Sequence, residues 1–132
     1  MPHLISFTTT KFDASKETPN PINPIAGEGV LKWVREELVK TGWEVSDPDA
    51  EDWGWYMIAQ RSGTSYLVGA SGEIEGDTSP TDWIIQIHKQ RTFLQKLTGK
   101  NKLADSDPLS DEIEKLVRQS HEFKSVDVDK SA

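Results

Sequence analysis

The stretch WGWYMIAQRSGTSYLVGAS, residues 53–71, predicts a β-hairpin and decides the fold class. Two runs rich in β-branched and aromatic residues flank a turn-forming Ser-Gly pair. Folding the runs symmetrically about this pair predicts antiparallel strands at 54–60 and 65–71, with Trp55 opposite Ala70. Large side chains then face small ones on both sides of the hairpin, as interdigitated packing requires. A slip of one residue would put every side chain on the wrong face.

The segments on either side of the hairpin alternate between strand and helix patterns. Alternating apolar residues predict strands at 4–12 and 83–89, and a short strand at 43–45. An apolar stripe predicts a helix over residues 28–41, ended by Gly42. The order of these elements is typical of an antiparallel sheet with helices packed on it.

The remaining segments divide into two helices and three irregular stretches. "TFLQKLTG" predicts a short helix ended by Gly99, and Asp107 followed by proline predicts the start of the last helix. Three prolines make residues 13–29 a long loop, here called the proline-rich loop, and "SDPDAED" predicts a turn. Residues 124–132 are expected to form a disordered tail.

These patterns together predict a single α+β domain over residues 1–123. Its antiparallel sheet is expected to have four to five strands, with two main helices packed on it in the order β-α-β-β-β-β-α. A chain of 132 residues is the usual size of one domain. No internal repeat interrupts this organisation.

The composition excludes several classes of protein and chemistry. The chain has no cysteine, which removes disulfides, thiol chemistry and thiolate zinc ligands. It lacks an apolar run long enough to span a bilayer and a recognisable signal peptide, so a cytoplasmic protein without a membrane partner is expected. No motif implies a cofactor. The oligomeric state is left open.

The net charge of −7 is unevenly distributed along the chain. Residues 83–104 contain no acidic side chain and include a basic segment, defined here as Lys89–Lys102. This segment suits an anionic ligand, nucleic acid, or the acidic surface of another copy. Nucleic acid is disfavoured because the isoelectric point is about 4.9 and aromatic residues do not alternate with the basic ones.

Acidic residues concentrate in two loops that the hairpin brings to the same end of the sheet. The first hairpin strand begins after one loop, and the second strand ends before the other. We call these eight carboxylates the acidic rim: Asp47, Asp49, Glu51, Asp52, Glu73, Glu75, Asp77 and Asp82. Charged loops are often merely solvated. The more specific interpretation is a docking surface for a basic partner protein.

Two tryptophans open the first hairpin strand and have different expected roles. Trp53 and Trp55 are two residues apart, so a regular strand would put both on one face with Met57. Trp55 is expected in the core. Trp53 stands at the mouth of the strand and is left open between the core and a binding platform. Gly54 between them suggests a bulge or a close backbone approach.

The remaining motifs do not define a catalytic or metal site. The acidic string beginning at Asp47 fails the calcium-loop pattern at its glycine and final glutamate positions, and "LTGKNK" fails the phosphate-loop pattern. The three histidines lack ligand spacing, and no nucleophile–base pair can be defined. The sequence therefore favours a binding module acting on a protein, such as an inhibitor, an immunity-type protein or an adaptor. Enzymatic activity is the less favoured class. The alternative is a small-ligand or enzymatic site in a cleft near Trp53 and the proline-rich loop.

Overall fold

The computed structural model describes residues 2–131, which form an α+β fold with one antiparallel sheet. Within these residues the strands of the sheet are β1 His3–Thr8, β2 Ile25–Ala26, β3 Glu44–Val45, β4 Asp49–Glu51, β5 Gly54–Arg61, β6 Thr64–Glu73, β7 Asp82–Lys89 and β8 Lys124–Asp129. The helices are α1 Glu28–Lys40, α2 Phe93–Thr98 and α3 Pro108–Gln119. The strands follow the order β3-β5-β6-β7-β1-β8, with β2 beside β6 and β4 beside β5.

The central hairpin has the predicted register. Strands β5 and β6 pair antiparallel, with Trp55 opposite Ala70. Ser62 and Gly63 both have positive φ angles, 53° and 78°, as expected for a two-residue turn whose twist matches that of the strands. The pairing of large with small side chains and the turn chemistry therefore specify the same structure.

One face of the sheet carries the core, and α1 and α3 cover it. The predicted stripe of α1 is fully buried, and α1 contacts both hairpin strands. On β7, the side chains of Trp83, Ile85 and Ile87 alternate into the core, which confirms the strand predicted from alternating apolar residues at 83–89. Asp107 caps α3 by accepting hydrogen bonds from two backbone N–H groups, and Gly99 ends α2 in the left-handed conformation, as predicted.

The sheet has eight strands in the described part of the chain, so the expectation of four to five was wrong. The additional strands lie where loops or a tail were expected: β2 in the proline-rich loop, β4 in the "SDPDAED" turn and β8 in residues 124–129. Strands β2 and β4 are short. Strand β2 forms because β6 has a free edge beside it, and strand β4 forms because β5 has one. Strand β8 pairs with β1 and packs Val126 and Val128 against the core, so this part of the expected tail is ordered.

Candidate functional site

The first group of the acidic rim flanks the start of β5 and consists of Asp47, Asp49, Glu51 and Asp52. Strand β4 pairs with β5 so that Glu51 lies opposite Gly54, which holds this group at one end of the sheet. Asp47 forms an ion pair with Arg35, with 3.8 Å between Nε and Oδ1. Asp49 and Asp52 are exposed, and Glu51 is half-buried.

The second group of the acidic rim lies where β6 ends and β7 begins, and consists of Glu73, Glu75, Asp77 and Asp82. Glu73, Glu75 and Asp82 line a common cleft of about 360 Å³, so the structure brings three of the predicted carboxylates together. The Asp82 carboxylate accepts a hydrogen bond from the hydroxyl of Thr8, at 3.0 Å. Asp77 is exposed in the turn beside this cleft and does not line it.

The proline-rich loop lies between the two acidic groups. The Asn20 side chain donates to the carbonyl oxygens of Glu51 and Gly54, at 3.1 and 3.0 Å, and Asn23 donates to that of Asp52 at 2.7 Å. A few residues later, β2 pairs with the end of β6. The acidic rim therefore consists of two groups with ordered backbone between them.

The proline-rich loop gives this end of the sheet an apolar centre. Ile22 is 52% exposed, and the loop lines a cleft of about 330 Å³ whose walls include its prolines and Ile74. The loop is fixed from inside because Trp55 Nε1 donates to the Ile25 carbonyl oxygen, at 3.2 Å. The Glu17 carboxylate also accepts the first N–H groups of α1. Burial raises the pKa of Glu17, and these hydrogen bonds act in the opposite direction.

Ion pairs leave most of the acidic rim unneutralised in the part of the chain that the structure describes. Among residues 2–131, Asp47 is the one member of the rim in an ion pair, so the other seven carboxylates are not neutralised by the fold. Their charges add to a negative potential around exposed Ile22. Electrostatically, this end of the sheet is suited to a positively charged ligand or partner.

Trp53 lies on the outer face of the sheet, opposite to Trp55. The prediction that the two rings share a face with Met57 was wrong, because Gly54 has a φ angle of +150° and breaks the alternation of the strand. The ring of Trp53 covers Gly69, where an added Cβ would lie only 2.5 Å from its Cη2 atom. Trp55 is 4% exposed, which confirms its predicted place in the core.

Trp53 contributes to a third cleft, which the basic segment borders. We call it the basic cleft. It has a volume of about 790 Å³ and runs along the outer face of the sheet past Gln86 and His88. The His88 Nε2 group donates to Gln86 Oε1 at 2.7 Å, and burial lowers the pKa of His88, which favours the neutral ring. Its basic lining residues are Lys89, Arg91, Lys96 and Lys102.

Two of these basic side chains already have internal partners. Lys89 Nζ lies 3.7 Å from the buried carboxylate of Asp107. Arg91 donates to two backbone carbonyl oxygens, those of Lys100 and Gln95. Within residues 2–131, Lys96 and Lys102 form no ion pair, so these two side chains remain available to an anion.

Helix α2 presents an apolar face to solvent. Phe93, Leu94 and Leu97 are 81%, 66% and 71% exposed, and we call them the apolar face of α2. The sequence pattern predicts this helix but not the exposure of its apolar face. The sequence did contain one indication of this surface, because basic residues lie on both sides of these three residues in the chain and no acidic residue lies among them.

No family model, curated protein or solved structure matches the chain. No helix in the described part of the chain is long and apolar enough to cross a membrane. Fold and site therefore define an α+β protein with an acidic end and a basic, partly apolar end.

Proposed function

We propose that the protein is a binding module whose acidic rim docks a basic segment of a partner protein. The observation that carries this proposal is the position of the proline-rich loop, with exposed Ile22, between two groups of carboxylates, seven of which form no ion pair within residues 2–131. Protein interfaces commonly combine an apolar centre with a polar rim. In the proposed complex, an apolar side chain of the partner enters the cleft of the proline-rich loop, and lysines or arginines beside it meet the carboxylates.

The two parts of this surface have different tasks in the proposed complex. Exposed charges steer the partner during diffusion and mainly set the association rate. Their reach is roughly 8 Å at physiological ionic strength, so the steering weakens as salt is added. The apolar centre forms its contacts after the encounter and mainly sets the dissociation rate. An inhibitor, an immunity-type protein or an adaptor would use the same physics.

Neutralising the acidic rim is expected to slow association without unfolding the protein. The variant carries Asp49→Asn, Glu51→Gln, Glu75→Gln and Asp77→Asn. Each change should cost under about 0.5 kcal/mol because three of these side chains are exposed and the fourth, Glu51, is only half-buried. A partner captured from the native host is used to measure association rates across a salt series. We expect slower association at low salt and convergence with the unmodified protein at high salt.

A control variant with the same charge change separates local from global electrostatics. It carries four exposed carboxylates neutralised away from the rim: Glu36→Gln, Glu44→Gln, Asp105→Asn and Asp127→Asn. This control should bind the partner almost as fast as the unmodified protein. Equal rates for the rim variant and the unmodified protein at low salt would mean that the rim carboxylates only solvate their loops.

The basic cleft favours a second candidate function, the binding of a small anionic ligand. Its volume lies in the range of small-molecule sites, and the half-buried ring of Trp53 stands in it with two unpaired lysines. A planar ring of the ligand would stack on Trp53, while its acidic group would contact Lys96 and Lys102. The sequence placed its ligand-site alternative near Trp53 and the proline-rich loop, but Trp53 lines the basic cleft and the proline-rich loop lines a different one.

Ligand binding in the basic cleft is expected to quench the fluorescence of Trp53. Adenosine monophosphate serves as the probe because it combines a planar ring with a phosphate. The signal should disappear in Trp53→Leu and weaken in Lys96→Gln/Lys102→Gln, while Lys115→Gln on the far helix α3 serves as the control. Quenching that persists in Trp53→Leu, or no quenching at all, would exclude this cleft as the site for such a ligand.

A further inference from the structure

The apolar face of α2 lies on a helix that is capped at both ends rather than on a frayed segment. Thr92 and Gln95 form a reciprocal capping box at the start of the helix, and Gly99 closes its end. Arg91 then ties the segment together through the carbonyl oxygens of Gln95 and Lys100. A six-residue helix held at both ends keeps three large apolar side chains in water, where each has an unfavourable free energy of hydration.

The surroundings of α2 specify the chemistry of what would cover it. Lys96, Lys100 and Lys102 are exposed beside the apolar face and form no ion pair within residues 2–131. A complementary surface therefore needs an apolar centre surrounded by negative charge. The proline-rich loop, with exposed Ile22 and its cleft, together with the two acidic groups on either side of it, has this composition.

A single molecule cannot join these two surfaces. Strand β7 starts at Asp82, in the acidic rim, and ends at Lys89, just before α2. Its eight residues rise about 3.3 Å each, which separates the ends by roughly 23 Å. The acidic rim and α2 therefore lie at opposite ends of the sheet, and contact between them requires two molecules.

We propose that α2 of one copy docks into the acidic rim of a second copy. Phe93, Leu94 and Leu97 cover Ile22 and the cleft of the proline-rich loop, and the lysines of α2 face the carboxylates. This inference rests on the proposed function, since it identifies a second copy of the chain as a basic partner. Each molecule offers both surfaces, so the contact is head-to-tail and assemblies grow as chains or close into rings.

The experiment uses two variants that each lose one surface. The helix variant, Phe93→Ser/Leu97→Ser, removes exposed apolar side chains and leaves the lining of the basic cleft intact. The rim variant is the one with four neutralised carboxylates described above. In sedimentation velocity, the unmodified protein should gain mass above 14.8 kDa as its concentration rises, whereas each variant alone should stay monomeric.

Mixing the two variants gives the result specific to head-to-tail association. The helix variant keeps its acidic rim, and the rim variant keeps its α2, so one intact pair of surfaces remains. An equimolar mixture should form a species of twice the monomer mass and nothing larger. Val39→Ser/Ile84→Ser, which removes two exposed apolar side chains elsewhere, should associate like the unmodified protein.

Three results would overturn the inference. The first is an unmodified protein that stays monomeric at every concentration, and the second is a mixture of variants that fails to pair. The third is capture of the unmodified protein as a monomer by phosphatidylserine vesicles, which would make a lipid surface the occupant of α2. In each case the proposed function is tested separately, by the effect of the rim variant on association with the captured partner.

Discussion

Trp55→Ala is expected to lower the free energy of unfolding by about 3–5 kcal/mol, the range for deleting a large buried aromatic side chain. Trp55 is 4% exposed, and the small side chain of Ala70 opposite it cannot fill the space that the ring would vacate. The change also removes the N–H group that holds the Ile25 carbonyl oxygen, at 3.2 Å. We therefore expect a loss of stability together with loosening of the proline-rich loop.

Urea unfolding of Trp55→Ala, Trp55→Phe and Trp53→Ala separates the contribution of the buried ring from that of its N–H group. Trp55→Phe keeps much of the ring but not its N–H group, so it should cost less than alanine while still freeing the Ile25 carbonyl oxygen. Trp53→Ala removes the same side chain from the outer face, where it is half-buried, and should cost less than Trp55→Ala. A nearly unchanged midpoint for Trp55→Ala would place this ring outside the core and contradict the packing described above.

Asp107→Ala is the second change with a large expected effect, again about 3–5 kcal/mol. Its carboxylate is 2% exposed and accepts hydrogen bonds from the N–H groups of Leu109 and Ser110, at 3.0 and 3.2 Å. It also accepts the Tyr66 hydroxyl at 2.9 Å and lies 3.7 Å from Lys89 Nζ. Removing one partner of a buried ion pair leaves the other charge without compensation, which accounts for an effect of this size.

The buried position of Asp107 distinguishes it from an ordinary helix cap. Loss of an exposed cap typically costs about 1 kcal/mol, so a loss of that size on urea unfolding would mean that Lys89 and Tyr66 find other partners. Asp111→Ala, in the exposed first turn of the same helix, provides the control and should change little. The double variant Asp107→Ala/Lys89→Met should recover part of the loss, because it no longer buries an unpaired charge.

The buried site of Asp107 also explains why the pKa of the Tyr66 hydroxyl is shifted. Burial and the hydrogen bond to Asp107 both raise the pKa of the Tyr66 hydroxyl, so it remains a donor throughout the physiological range. The Lys89 ammonium lies 5.9 Å from the centre of the Tyr66 ring. Lys89 therefore belongs to the internal structure, although the sequence places it in a run of cations that looked free.

The sequence by itself determined the parts of the fold that depend on neighbours along the chain. The register of β5 and β6 follows from the pairing of large with small residues and from the Ser-Gly turn, both properties of one contiguous stretch. The bounds of α1 and the start of α3 likewise follow from apolar spacing and end residues within a few turns. These interactions are local, so reading the residues in order is sufficient to predict them.

Only the tertiary structure decided which distant groups meet. The alternation of valine and aspartate in β8 is a strand pattern, but it forms a strand because β1 offers a free edge. Trp53 changes faces because Gly54 adopts a backbone conformation that is tied to its close approach to Ala70. Asn20 and Asn23 hold the proline-rich loop against the first acidic group through hydrogen bonds to residues about thirty positions away. The burial of a charge or the exposure of an apolar face depends on what packs against it in space. The tertiary structure brings Asp107 to Lys89 and leaves Phe93, Leu94 and Leu97 of α2 exposed.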